Sequence, residues 1–389
     1  MSEVKISFIP NGGVKRKSYT AQMGLAVSQL TESCYGKNLF YLYDGGDIDQ
    51  ELLQLSSLVI SRNDISSTKE TILISEDIDA INNGSVVNVS AAGKIRILFN
   101  PKSSNNALFV TDACNNYCVM CPQPPKPTIS PKTKEYLMDI IDLIREEDSP
   151  ETIGITGGEP TIIGRDLIDV MLSITFKFPT TVIQLLSNGR LFSYPDYTRE
   201  MAELSPNMFV GIPLFGSTPE THDFIVQSKG AFDQTIAGIY ECRRQKISVE
   251  LRVVLHKYTT NELHNIVHLI KRTLPFVSHI ALMGMENMGF AKMNYSDLWI
   301  DPIDYKTSLK DAVLDLNSFG LSVSVFNLPF CVLSSEIWEF SRQSISDYKT
   351  TYMKQCDICS KKPECSGLFS STSDKFKLTK TINISPIKE

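Results

Sequence analysis

The sequence is short of what a membrane-spanning chain or a nucleic-acid track needs. Nowhere in its 389 residues does a run approach the roughly 18 to 20 apolar residues that cross a bilayer. Residues 1–10 contain Glu3 and Lys5 and lack the apolar stretch of a secretory signal, so export is not expected. Charge of one sign is scarce too: 38 Lys and Arg stand against 44 Asp and Glu, a net charge of −6. The one basic cluster, Lys15, Arg16 and Lys17, reads as a solvated turn, and no nucleic-acid partner is expected. The five histidines are scattered; His264 and His268 share a helix face at i and i+4 and read as a packing or solvent feature rather than a zinc pair.

What is present suits an ordinary globular protein: 42% hydrophobic and 21% charged residues, enough for a core without disulfide staples. The expected location is the cytoplasm, where thiols stay reduced. Nine cysteines therefore call for another explanation. Seven lie in or beside two clusters, a distribution that suits metal binding. Cys34 and Cys242 stand alone and read as core residues or free thiols.

Three regions follow from the patterning. Residues 1–104 hold short apolar runs (5–9, 39–43, 58–61, 71–74, 85–89 and 94–99) broken at Gly12-Gly13, Gly45-Gly46 and Asn83-Gly84, which predicts a β-rich domain. The polar stretch 101–106 reads as a linker. Residues 105–300 alternate strands (108–111, 152–156, 181–186, 208–213, 248–255, 279–283) with helices (133–146, 167–178, 231–245, 260–274), the last opened by a threonine N-cap at Thr260. Such alternation predicts an α/β fold with a parallel sheet, open or curled into part of a barrel, whose chemistry sits at the carboxyl ends of the strands. Residues 301–389 add a helix (305–316), a strand (321–325) and a cysteine-containing tail.

The first of those strand ends carries Cys114-Asn-Asn-Tyr-Cys118-Val-Met-Cys121. Four thiolates complete a [4Fe–4S] cube; three leave one iron free for a small molecule with an amine and a carboxylate. Inert buried cysteines, or zinc completed by another ligand, are the alternatives, though no histidine lies in the loop. The second strand ends in Gly157-Gly158-Glu159-Pro160, on its own a common tight turn, although glycines let carbonyls approach a cation and Glu159 can offer a charge-assisted hydrogen bond. The third ends in Ser187-Asn188-Gly189, on its own a plain turn.

The C-x3-C-x2-C loop followed one strand later by GGEP resembles the radical S-adenosylmethionine (SAM) superfamily over residues 108–285. That resemblance implies a partial (β/α)6 TIM-like barrel, a SAM-binding [4Fe–4S] cluster on Cys114, Cys118 and Cys121, and reductive cleavage of SAM to a 5′-deoxyadenosyl radical by way of an external one-electron reductant. It further implies nucleotide contacts at Met120, Gly157, Gly158, Glu159 and Pro160, and at Ser187, Asn188 and Arg252. An arginine such as Arg252 could equally face solvent, and the end of the 208–213 strand lacks the serine many relatives have.

A second set, Cys356-x2-Cys359-x5-Cys365 with Cys331 upstream, can complete four thiolates for a closed cluster or for zinc. The set resembles the auxiliary-cluster tails (SPASM and twitch types) of peptide-modifying radical SAM enzymes, which implies a second [4Fe–4S] cluster. The run Cys121-Pro-Gln-Pro-Pro-Lys126 with this tail is similar to the His-Xaa-Ser system radical SAM maturases, of the C type. The implied substrate is a ribosomally made peptide, with other proteins of that system as partners. A radical SAM enzyme acting on a small molecule or RNA, and a non-catalytic metal-binding protein, remain as alternatives.

Overall fold

The computed structural model describes residues 22–62, 69–73, 78–90, 95–204, 207–343, 349–372 and 385–387. The expected strand 5–9, the turn at Gly12-Gly13 and the Lys15–Lys17 cluster lie outside these residues, as do Ile74 and Lys94 at the ends of two expected strands. The chain divides into two compact units: Met1–Val110, Ser130–Ile155 and Arg165–Ile183 form one, and Thr111–Ile129, Thr156–Gly164 and Gln184–Glu389 the other.

The first unit contains β1 (Gln22–Val27), β2 (Leu39–Tyr43), β3 (Ser56–Ser61), β4 (Glu70–Leu73), β5 (Ser85–Val89) and β6 (Ile95–Phe99), in the order β4-β3-β2-β1-β5-β6. β1 to β4 pair in parallel, and β5 and β6 add antiparallel ladders. The strands are dense in Val, Ile, Leu and Phe, which pack well on a pleated surface. Phe40, Leu58, Ile60, Ile72, Val87 and Ile95 meet in one buried cluster. β1 (QMGLAV) escapes the sequence pattern because a glycine and a methionine dilute it. The same unit holds β7 (Asn106–Phe109), β8 (Thr152–Thr156), α1 (Gln50–Leu55), α2 (Thr133–Leu143) and α3 (Arg165–Lys177). α2 buries Leu137, Ile140 and Ile141. It stops three residues short of the expected end. Its final carbonyls take two cations instead: Lys177 Nζ donates to Ile141 O (2.8 Å) and Asp142 O (2.9 Å), and Lys37 Nζ also donates to Asp142 O. Positive charge there complements the helix dipole.

The second unit continues with β9 (Val182–Leu186), β10 (Met208–Pro213), β11 (Ser248–Leu255), β12 (His279–Gly284), β13 (Val323–Phe326) and β14 (Ser341–Arg342). Its strands run in the order β14-β13-β12-β11-β10-β9, and β10 to β14 pair in parallel. A short antiparallel pair, β15 (Thr350–Thr351) and β16 (Leu368–Phe369), lies in the tail. The helices are α4 (Pro195–Leu204), α5 (Pro219–Val226), α6 (Ala231–Arg244), α7 (Lys257–Asn261), α8 (Leu263–Thr273), α9 (Gly289–Met293), α10 (Tyr295–Leu298) and α11 (Lys306–Ser318). This is the expected α/β fold with a parallel sheet. Along β11 the side chains alternate: Val249, Leu251, Val253 and Leu255 are buried on one face, and Glu250 and Arg252 share the other.

Two local expectations change. The single helix predicted over 260–274 is two, α7 and α8, broken at Glu262. That carboxylate turns to accept from Ser217 N (3.2 Å), Ser217 Oγ (2.9 Å) and Thr221 Oγ1 (2.7 Å). The threonine at the helix start is Thr259, whose Oγ1 accepts from His256 N at 2.9 Å, rather than Thr260. α4 and α5, each opening on a proline at its first position, were not anticipated, although that placement favours a helix start.

His222 and His256 are enclosed in this unit, and burial pushes both imidazoles down to about 4 from 6.5. Between those values the unfolded chain binds protons that the folded one refuses. Stability is therefore full above about pH 6.5 and is lost as the pH falls toward about 4. We expect Tm to drop across that window, and less steeply in His222→Asn, which retains an acceptor for the Phe215 N–H that now meets Nδ1 at 3.3 Å. Thermal melts at a series of pH values check this; an unchanged slope in the variant removes His222 from the cause.

Candidate metal centre

The cysteine loop lies wholly in the second unit and is held by its backbone. Tyr117 N donates to Val226 O and Val119 N to Ile225 O (both 2.9 Å), fastening the loop to the end of α5. Phe290 N donates to Cys121 O (2.8 Å), and Asn294 Nδ2 to Val119 O (2.8 Å). Met120 packs its side chain into a buried cluster with Phe215, Ile225, Val226 and Met285. Asn116 N points at Cys114 Sγ (3.4 Å), and Cys121 Sγ donates to Gln123 O (3.0 Å).

Burial pushes all three thiols up. Cys114 reaches about 11, with the Arg190 cation pulling the other way, and Cys118 rises further, with Cys121 and Cys114 adding to the effect. The donor set is sulfur alone, the set that a [4Fe–4S] cluster takes up as thiolates with release of protons. Three such donors leave one corner of a cube open, so the residues fit the group.

The GGEP turn runs against the start of this loop. Gly158 N donates to Thr111 O (2.6 Å) and Glu159 N to Ala113 O (2.8 Å). A Cβ on Gly158 would lie 2.2 Å from Ala113 O, and one on Gly157, whose φ is +153°, would lie 2.5 Å from Thr111 O. The glycines are required because two backbones touch.

Glu159 is 1% exposed. Its Oε1 accepts from Thr161 N (3.1 Å), Thr161 Oγ1 (2.6 Å) and Ser187 Oγ (2.8 Å), and its Oε2 from Asn188 N (2.6 Å). Burial pushes this carboxyl up, and the four donors pull it back. Both oxygens are thus engaged by the protein, and Glu159 ties the second strand's turn to the third's. Pro160, also buried, opens the short turn Pro160–Ile163 that supplies the Thr161 donors.

Asn188 completes the connection, its Nδ2 donating to Asn115 Oδ1 at 2.6 Å. Beside it stands a residue that sequence reasoning missed. Arg190 Nη1 donates to Asn115 O (2.7 Å), Asn116 Oδ1 (2.6 Å) and Ser228 Oγ (2.9 Å), while Nε donates to Gln234 Oε1 (2.7 Å). Its only sequence signal is its position directly after the SNG turn.

Arg252 faces the polar side of the sheet, not solvent. Its Nε donates to Glu250 Oε1 (2.7 Å); Glu250 Oε2 meets His279 Nδ1 (2.8 Å), and His279 Nε2 meets Ser324 Oγ (3.0 Å). Burial works against the charge on Glu250, but His279 and Arg252 hold its carboxyl below the usual range.

In the tail, Cys365 Sγ accepts from Phe330 N (3.4 Å) and Gly367 N (3.5 Å), and Ser366 Oγ donates to Leu328 O (2.6 Å). Burial raises the Cys331 thiol, with Cys365 and Cys356 adding to it, and raises Cys365, with Cys356 and Cys359 adding. Among the described residues no three His, Cys, Asp or Glu side chains are grouped to hold a single metal ion. No helix of the described residues is long and apolar enough to cross a membrane.

Residues 108–270 match the Radical SAM superfamily. The chain is 26% identical over 236 residues to the cysteine-type anaerobic sulfatase-maturating enzyme of Clostridium novyi, across 55% of this chain and 58% of that one. It is 30% identical over 167 residues to the Fe-coproporphyrin III synthase of Methanosarcina barkeri, across 42% of this chain and 39% of that one. It therefore spans less than two thirds of the length of either relative. Among solved structures, Streptococcus suis SuiB bound to S-adenosylmethionine aligns with a TM-score of 0.47 at 12% identity, covering 65% of this chain and 56% of that one. Native anSMEcpe with bound AdoMet and Cp18Cys peptide aligns at 0.45 and 16% identity, covering 56% of this chain and 62% of that one.

Gly158→Ala is expected to force the GGEP turn off the cysteine loop at a cost of about 2 kcal/mol, as overpacked sites do. Iron content after anaerobic reconstitution should fall with it. Wild-type iron and an unchanged Tm in this variant would show that the contact between the two turns is dispensable.

Proposed function

We propose that this chain is a radical SAM enzyme that cleaves S-adenosylmethionine reductively and matures a ribosomally made peptide of the His-Xaa-Ser type. The observation that carries the reading is a sulfur-only loop, Cys114, Cys118 and Cys121, clasped by the GGEP and SNG turns at the ends of the next two strands. A [4Fe–4S] cluster held by Cys114, Cys118 and Cys121 would supply one electron to the SAM sulfonium, so that the C5′–S bond breaks to give methionine and a 5′-deoxyadenosyl radical able to abstract hydrogen from the substrate.

The chain's own residues position and enclose. Gly157, Gly158 and Pro160 bring the turn's backbone to the cysteine loop for the nucleotide's amino group, and Ser187 and Asn188 extend that edge. Glu159 acts through the two turns it joins. Met120 anchors the loop in the core while its backbone faces adenine, and Arg252, aimed by Glu250, takes the nucleotide's carboxylate or ribose. Cys331, Cys356, Cys359 and Cys365 hold a second [4Fe–4S] cluster. The name of the sulfatase-maturating relative supports a substrate that is itself a protein or peptide. Residues 1–104 dock the peptide, residues 105–300 form the catalytic core, and residues 301–389 carry the second cluster. An external reductant and the other His-Xaa-Ser proteins complete the system in the cytoplasm.

Anaerobically reconstituted protein should release 5′-deoxyadenosine from SAM under dithionite, and replacing Cys114, Cys118 and Cys121 by Ala should abolish it. A wild-type chain that binds zinc in place of iron, or leaves SAM intact, defeats the reading. Replacing Cys356 and Cys359 by Ala should roughly halve the iron content while sparing the SAM-responsive signal, as two four-iron clusters require. Removing residues 1–104 should weaken binding of a His-Xaa-Ser peptide; unchanged affinity removes that role from the first region.

A further inference from the structure

Building on the radical SAM reading above, we propose that Arg190 is the positioning residue for the cluster: it clamps the Cys114–Cys118 segment and sets a fixed positive charge beside it. The geometry is that of one guanidinium nitrogen on a short stretch of the loop, braced from two other places in the chain. A single nitrogen, Nη1, reaches the Asn115 carbonyl, the Asn116 side chain and Ser228, while Nε is pinned by Gln234 of α6. Arg190 is only half-buried, yet its guanidinium is held at both nitrogens described, so little of its rotamer freedom remains.

The clamp acts on a ligand through one intermediate. Asn116 lies two residues after Cys114, and its N–H points at Cys114 Sγ from 3.4 Å. Fixing the Asn115 carbonyl and the Asn116 side chain fixes the peptide between them, and with it that N–H. Hydrogen bonds to cluster sulfurs and nearby charge both stabilise the more negative, reduced form of an iron–sulfur cluster. Asn188 holds Asn115 from the other side through Oδ1. The two residues between Cys114 and Tyr117 are thus tied to the SNG turn by three side-chain bonds.

Charge and geometry separate experimentally. Arg190→Gln removes the cation; Arg190→Lys keeps it but loses the fork. Both would be prepared as the full chain, reconstituted anaerobically, and followed by EPR on the signal that changes when SAM is added. Arg190→Gln should shift the midpoint potential of that signal to more negative values, whereas Arg190→Lys should leave it near wild type. Both should lose iron to a chelator roughly tenfold faster, the scale of one lost charge-assisted bond. Wild-type potential and wild-type iron loss in Arg190→Gln overturn the proposal. Should that variant fail to fold, a wild-type rate of iron loss in Arg190→Lys overturns it. A wild-type chain that takes up no iron defeats the enzyme reading itself and this role with it, whereas failure confined to the variants' readouts leaves that reading standing.

Discussion

A carboxyl group almost wholly withdrawn from water, with four donors closed on its two oxygens, organises the second unit around the cysteine loop. Removing an ionisable group from water is costly unless donors replace the solvent. Glu159 draws those donors from its own turn and from the turn of the next strand. Two strand ends are thereby set in fixed register by one side chain. The backbone of the first turn lies on Thr111 and Ala113, and the side chain of the second reaches Asn115. Both approaches to the cysteine loop depend on the same buried group.

The strands further along the sheet use a different device. Glu250, His279 and Ser324 form a chain across β11, β12 and β13, and Arg252 is drawn into it. A half-enclosed polar network of this kind keeps the guanidinium of Arg252 in one orientation, which an isolated arginine on a strand does not have.

Much of this was legible in the residues. The boundaries of β10 and β11 match the expected strands 208–213 and 248–255, and in β11 apolar residues at every second position mark the buried face. The three cysteines, GGEP and SNG were placed at strand ends and are found there. The partners were not legible. Glu159 reads as a free acceptor in sequence, and its four donors belong partly to a turn 28 residues away. Arg190 carries no spacing rule, and Asn115 and Asn116 look like filler between ligands. The break at Glu262 was hidden because a glutamate near a helix start normally favours continuation; here its carboxylate is drawn to Ser217 and Thr221.

The buried thiols of the loop have one more consequence. A sulfur that keeps its proton is a poor nucleophile and is slow to oxidise or form a disulfide. With Cys114 pushed up to about 11 and Cys118 higher still, these two thiols of the folded chain keep their protons at neutral pH. On the proposed reading these sulfurs would bind iron as thiolates, and cluster assembly would release their protons.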